Sequence, residues 1–293
     1  MAVKAAVVAA DITCRAVLSI AGSDPSGGAG IQADLKTFTA LGVYGGAAIT
    51  CLTAQNSTGV SSFQPCDPAL VKEQIAMVLA DLPVTHIKTG MIGTPAIAQA
   101  IAEALTDFQG ELVCDPVLIA SDGHRLFRSA DMIDGLAPLL ERATVVTPNL
   151  PELAALTNNE PQDAPTALTA AASLLYRYPN LRAVLLTGGH IREQATEVED
   201  YLIRRIGETS EVITASHPRL TTRNTHGTGC TFASAFTALH LLHDDDREAF
   251  FGAVSFLDTL LRASSNLTLG HGRGGLAHHL WGKDNAGQDP RPR

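Results

Sequence analysis

The sequence predicts an α/β fold in which a mainly parallel central sheet is covered by helices and carries a small antiparallel hairpin at one edge. Three observations predict it. Apolar strand-like runs alternate with longer amphipathic stretches along most of the chain. One late segment, DYLIRRIGETSEVITAS, breaks that rhythm with two β-rich stretches around a GET turn. The 293 residues are 45% hydrophobic, ample for a substantial core.

In chain order, AVLSIAG reads as the first strand, followed by a helix over residues 30–41, the strand AAITCLT and a helix near residues 68–79. VTHIKTG, a helix near 95–108, ELVCDPV and ATVVTPN continue the alternation, and RAVLLTGG resumes it after a further helical region. NNEPQDAP, at 158–165, reads as a loop inside the same unit, and the HGTGC turn leads into two terminal helices. Residues 17–281 therefore read as one domain, preceded by an extension over 1–16 and followed by a flexible tail over 282–293. In such a fold the functional loops sit at the C-terminal ends of the strands.

A net charge of -9 argues against nonspecific nucleic-acid binding, and five lysines spread among sixteen arginines make no polybasic anchor. Five cysteines without close pairs fit a reducing compartment. The Ala-rich start lacks the pattern of a targeting segment and no stretch is long and apolar enough to span a membrane, so a cytoplasmic protein is expected.

Three segments can carry chemistry. In HGTGC, Gly227 and Gly229 let backbone N–H groups around Thr228 converge on one point at a helix start, an anion hole whose field would also favour a Cys230 thiolate. The competing reading is a tight turn followed by a buried thiol. AGSDPSGGAGIQADLKTF is glycine-rich but matches neither dinucleotide nor phosphate-loop spacing, and is either a flexible turn or a close-approach ligand loop. Within it Asp24 and Asp34 can cap backbone or meet a polar substrate, while Gln55 in LTAQNSTG can exchange a donor and an acceptor with a heteroaromatic ring. In TPNLPE, Asn149 and Glu152 can cap the following helix or orient water around a divalent ion, with Asp115 of CDPV approaching the same centre. The ten histidines make no compact metal pattern; His190, His226 and the His278/His279 pair read as loop or packing residues.

AGSDPSGGAGIQADLKTF, ITCLTAQNSTGV, KTGMI, DPV, TPNLPE, LLTGGH and NTHGTGCT, in this order, resemble the hydroxymethylpyrimidine and phosphomethylpyrimidine kinases of the ribokinase-like family. The resemblance implies a three-layer αβα sandwich, a homodimer, and two ATP- and Mg2+-dependent transfers, to a pyrimidine alcohol and then to its monophosphate. It further implies that Gln55 pairs with the pyrimidine edge, that Asp34 helps seat its polar groups, and that Ala29, Met91 and Val117 flank the ring. Cys230 would accept the alcohol proton beside Gly227, Thr228 and Gly229. Asn149, Glu152, Thr187 and Gly189 would serve the nucleotide, and Asp115, Asn149 and Glu152 the metal, partly through water. This branch often has lysine immediately before GGH; Thr187 stands there and cannot neutralise phosphate as lysine does. The alternatives are a pyridoxal, pyridoxine or pyridoxamine kinase and a noncatalytic nucleotide- or pyrimidine-binding protein. A dehydrogenase is disfavoured by the missing dinucleotide fingerprint.

Overall fold

The computed structural model describes residues 15–120, 123–129, 132–191 and 195–282. The expected N-terminal extension, apart from residues 15–16, and the expected tail, apart from residue 282, lie outside them. Strands β1 (Ala16–Ser23), β2 (Tyr44–Asn56), β3 (Gly59–Pro65), β4 (Val84–Thr89), β5 (Glu111–Cys114), β6 (Val145–Val146), β7 (Ala183–Leu186), β8 (Glu197–Ile206) and β9 (Thr209–Pro218) form one sheet. Its order is β3-β2-β1-β4-β5-β6-β7-β8-β9, parallel from β2 through β7 and antiparallel at both margins. The GET hairpin is the β8–β9 pair, as expected. The β2–β3 hairpin was not foreseen, because β2 runs on beyond AAITCLT and turns at Ser57-Thr58, where Asn56 Oδ1 accepts from the Thr58 N–H at 2.8 Å.

Buried strand residues alternate between two helical layers. Leu112, Cys114, Val146, Val184 and Leu186 pack with α2 (Pro68–Asp81), α3 (Pro95–Ala104), α4 (Met132–Leu140), α5 (Leu150–Thr157) and α6 (Ala164–Arg177). Val113, Val145, Ala183 and Leu185 point the other way, and that face is covered by α1 (Gly30–Ala40), α7 (Thr228–His243) and α8 (Asp246–Ser264). Such two-sided burial explains the continuous apolar runs that marked these strands in the sequence.

Helix starts differ in a way that prepares the site: most carry a side-chain cap, including α8 through Asp245, and two do not. Asp67, Thr94, Asn149 and Asp163 accept backbone N–H groups at the starts of α2, α3, α5 and α6, each followed within two residues by proline. Asp163 makes the expected loop at 158–165 end in a capping box. By contrast, α1 and α7 begin at Ala29 and Gly227 with no side-chain cap, leaving their first N–H groups to other acceptors.

The opposite end of α7 holds a polar chain. Arg182 Nη2 donates to His240 Nε2 at 2.9 Å, so His240 must donate through Nδ1 to His86 Nε2 at 3.0 Å, and His86 Nδ1 in turn donates to Thr85 Oγ1 at 3.0 Å. Both rings are neutral in this arrangement. Burial pushes His86 down to about 4, with His240 adding to the effect, and burial likewise lowers His240 and pushes His278 to about 4. Groups that protonate more readily when unfolded favour unfolding as pH falls, so stability should drop through the window from 6.5 to about 4. Urea unfolding at pH 7.5 and 4.5 should show a loss on the order of a few kcal/mol. Replacing His86 and His278 with uncharged asparagine should flatten that slope.

Candidate active site

A cavity of about 680 Å³ crosses the C-terminal edge of the sheet. Gly22 on β1 and Ala29 after it, Thr53 and Gln55 on β2, Met91 after β4 and Val117 after β5 form one part of its wall. Asn149 and Glu152 after β6, Thr187 and Gly189 after β7, and His217 and Arg219 at the end of β9 form the other. Because β1, β2 and β4 lie on one side of the sheet and β6 to β9 on the other, these are separate regions of one cleft. Asp115 and residues 227–230 line the wall as well, with Asp115 coming from the central strand β5.

The two glycine loops are docked on each other. Asp24 is buried, and its Oδ2 accepts from Gly28 N at 3.0 Å, Ala29 N at 2.8 Å and His226 Nε2 at 2.8 Å, while Oδ1 accepts from Ser26 N and Oγ. Burial opposes its ionisation, but the hydrogen bonds from His226, Ser26 and Ala29 outweigh it and hold the carboxyl at about 2. Gly227 has φ +82, and a Cβ there would fall 1.9 Å from Gly28 O. Only glycine permits both the turn and the approach. The uncapped N-terminus of α7 thus faces the cavity beside that of α1, with Thr228 and Gly229 on the wall and open space where a Gly229 Cβ would point.

At the other region, Asn149 and Glu152 form a reciprocal capping box, each accepting the other's backbone N–H at 2.9 Å. Glu152 is buried, and burial together with the neighbouring Asp115 charge raises its pKa well above the usual carboxylate range. Asp115 is raised too, chiefly by burial, against the lowering effect of Lys88. Asp115 Oδ1 accepts from Thr147 at 3.4 Å, whereas Oδ2 accepts no hydrogen bond and faces the Lys88 ammonium at 3.4 Å. Lys88 supplies one positive charge against Asp115 and Asp34, while the neighbouring Glu152 adds a second buried carboxyl beside Asp115; carboxylate oxygens of this kind fit a hard divalent cation. No group of three or more His, Cys, Asp or Glu side chains able to hold a metal occurs among the described residues. A magnesium ion would therefore take most of its ligands from phosphate and water.

Matching these features, the sequence profile of the Phosphomethylpyrimidine kinase family covers residues 24–277. The chain belongs to this family. It is 41% identical to the hydroxymethylpyrimidine/phosphomethylpyrimidine kinase of Escherichia coli over 90% of this chain and 97% of that one. Among solved structures, an ADP complex of Bacillus subtilis pyridoxal kinase superimposes with a TM-score of 0.79 at 32% identity, covering 93% of this chain and all of that one. A phosphomethylpyrimidine kinase from Clostridium difficile gives 0.69 at 32% identity, covering 83% of this chain and 98% of that one. The three-layer fold is the ribokinase-like one that the motifs implied.

Against the family pattern, Ala29, Gln55, Met91, Val117, Asp115, Asn149, Glu152, Thr187, Gly189 and the Gly227–Cys230 turn all line the cavity. Asp34 does not. It is fully buried, with its carboxylate taken by Ser19 at 2.6 Å, Ser234 at 2.7 Å and Lys88 at 3.0 Å, so direct seating of substrate by Asp34 is corrected. The thiolate expectation is corrected as well: burial pushes the Cys230 thiol up to about 12, against Lys88, which lowers it. Sequence reasoning passed over Lys88, although a lysine inside the otherwise strand-like VTHIKTG was a visible signal. It also missed Asp200, which accepts from Gly188 N at 2.8 Å and pairs with His217 at 3.1 Å on the part of the wall formed after β6 and β7 and at the end of β9. His226 is the loop residue it was read as, but one that joins two loops.

Gly227→Ala should cost at least about 2 kcal/mol of stability, since a positive φ and a clash with backbone coincide. Gly229→Ala should melt like the parent protein. Thermal melts of the two variants check both outcomes.

Proposed function

We propose that this protein transfers the γ-phosphoryl group of ATP to 4-amino-5-hydroxymethyl-2-methylpyrimidine and then to the resulting monophosphate, giving the diphosphomethyl pyrimidine used in thiamine biosynthesis. One observation carries the reading: family-matching acceptor and nucleotide residues share one cleft with the Cys230 helix start. To the same reading belong a cytoplasmic location and a homodimer. No described helix is long and apolar enough to cross a membrane.

In this reading Gln55 pairs with the ring edge while Ala29, Met91 and Val117 flank it, and the N–H groups at the start of α7 receive the charge that develops on the transferred phosphoryl. Asn149, Glu152, Thr187 and Gly189 hold the nucleotide phosphates, with backbone donors and a hydroxyl standing where relatives use lysine. Asp115, Asn149 and Glu152, partly through water, would hold a magnesium ion, which would supply charge neutralisation for the transferred phosphoryl. In the first transfer the acceptor O–H bond breaks as the thiolate form of Cys230 takes the proton to give the thiol, the oxygen bonds to the γ-phosphorus, and ADP leaves with the electron pair of the cleaved P–O bond. In the second, the nucleophile is a phosphate oxygen already ionised near neutral pH, so no base is required.

The likeness to Bacillus subtilis pyridoxal kinase supports a second reading, in which a pyridoxine-type alcohol is an acceptor too. Product-resolved assays with ATP and Mg2+ should yield the monophosphate and diphosphate of the pyrimidine. A higher kcat/KM for pyridoxine would reverse the assignment, and nucleotide binding without ADP formation would leave a binding protein. Cys230→Ala should lower alcohol phosphorylation about 100-fold or more while costing the monophosphate reaction less than about 10-fold. Because the thiolate is the minor form at neutral pH, the alcohol reaction should also accelerate from pH 7 to 9 while the monophosphate reaction stays flat. Equal losses or parallel profiles would remove the base role.

A further inference from the structure

The transfer as proposed makes no use of Lys88, a cation that is fully buried among the described residues. Its strand alternates sharply: Ile87 packs into the α2–α6 layer, while His86 and Lys88 point to the α7 layer, where His86 meets His240. Lys88 Nζ donates to Asp34 Oδ1 at 3.0 Å and lies 3.4 Å from Asp115 Oδ2. Asp34 is in turn pinned by Ser19, the register partner of Lys88 on β1, and by Ser234, four residues after Cys230 on α7. Residues i and i+4 share a helix face, so Cys230 stands one turn above the Asp34–Lys88 pair, toward the cavity. Burial opposes a charge on Lys88, but the carboxylates of Asp34 and Asp115 and the Cys230 group keep it protonated.

A buried ion pair is weak evidence for stability, because desolvation cancels most of the attraction. Here the pair has an asymmetry that pure packing does not require. One carboxylate, Asp34, is saturated by three donors, while the other, Asp115, has an oxygen without a hydrogen bond and lines the cavity. Asp34 therefore fixes the position of the ammonium, and the ammonium presents its field to the groups above it.

We propose that Lys88 is a positioning residue of the transfer, clamped by Asp34 so that its fixed positive charge aims Asp115 into the cavity and supports negative charge on Cys230 Sγ. Asp34 acts through Lys88 and never touches the acceptor. As the acceptor O–H breaks and S–H forms, the ammonium keeps its own protons; it changes the ease of the step, not its bookkeeping of atoms. The catalytic consequence rests on the kinase reading, whereas the electrostatic one does not.

The test therefore begins without substrate, nucleotide or metal: site-resolved alkylation of Cys230 by iodoacetamide at pH 8.5, with buried Cys51 and Cys114 as internal controls for an intact fold. Lys88→Met should slow labelling of Cys230 at least tenfold, Lys88→Arg should recover most of the rate, and Asp34→Asn, whose amide oxygen still accepts from Lys88 Nζ and holds it in place, should accelerate it, because a negative charge is lost beside a retained positive one. A merely structural role would loosen the packing and accelerate labelling in both neutralising variants. Should Lys88→Met fail to fold, the Lys88→Met/Asp34→Asn double variant removes both charges and should fold yet label more slowly than Asp34→Asn alone. Unchanged or faster labelling in a folded Lys88→Met protein, or slower labelling in Asp34→Asn, overturns the proposal. In turnover, Lys88→Met should lower kcat for the alcohol at least tenfold with KM for the pyrimidine within about threefold, and Lys88→Arg should restore it; a change confined to KM also overturns it. Absence of turnover in the unmodified protein would instead overturn the kinase reading and leave the labelling result standing.

Discussion

The geometry of the cleft depends on one carboxylate. Asp24 gathers two N–H groups of the first glycine loop, the Ser26 groups and the His226 ring on its two oxygens. Removing it from water is unfavourable in isolation, and the converging donors more than compensate, so the carboxylate stays charged. Only with that clamp closed do Gly28 and Gly227 come into backbone contact, and only then do the two uncapped helix starts face the same space. The protein withholds side-chain caps from α1 and α7 while supplying them to α2, α3, α5 and α6. The unmet donors mark the site more clearly than any single reactive group.

The behaviour of Cys230 shows how magnitude decides between two plausible effects. A helix N-terminus contributes about 0.3–1 kcal/mol toward a nearby negative charge, up to about 2 in buried settings. Raising a thiol from 9.0 to about 12 corresponds to roughly 4 kcal/mol in the other direction. Burial wins, and the helix start alone cannot make this cysteine a thiolate. That balance already includes the Lys88 ammonium, which lowers the thiol without overcoming burial, so loss of its charge would raise the thiol further.

Much of this was legible in the sequence, for identifiable reasons. The parallel strands announced themselves because burial on both faces forces continuous apolar runs, as in RAVLLTGG and ELVC. The turn glycines were legible because positive φ and backbone contact exclude other residues. The β2–β3 hairpin was not, since STG carries a weak turn signal and β3 leaves six of its seven residues at least partly exposed without a repeating apolar stripe. Asp24 and Asp34 looked equivalent in one dimension. Their difference arises from partners 202 and 200 residues away, His226 and Ser234, which no local pattern reveals.

The sheet is bounded by a hairpin at each margin, and each hairpin lends a wall to a different region of the cleft: Gln55 and Thr53 from β2 on one side, His217 and Pro218 from β9 on the other. The first region is built almost wholly from residues 22–120, the second mainly from residues 147–222. Such a division makes the molecule modular in an evolutionary sense. Substitutions on the β2–β3 hairpin can reshape the first region without disturbing the loops after β6 and β7 that wall the second, while the helix start between them stays unchanged.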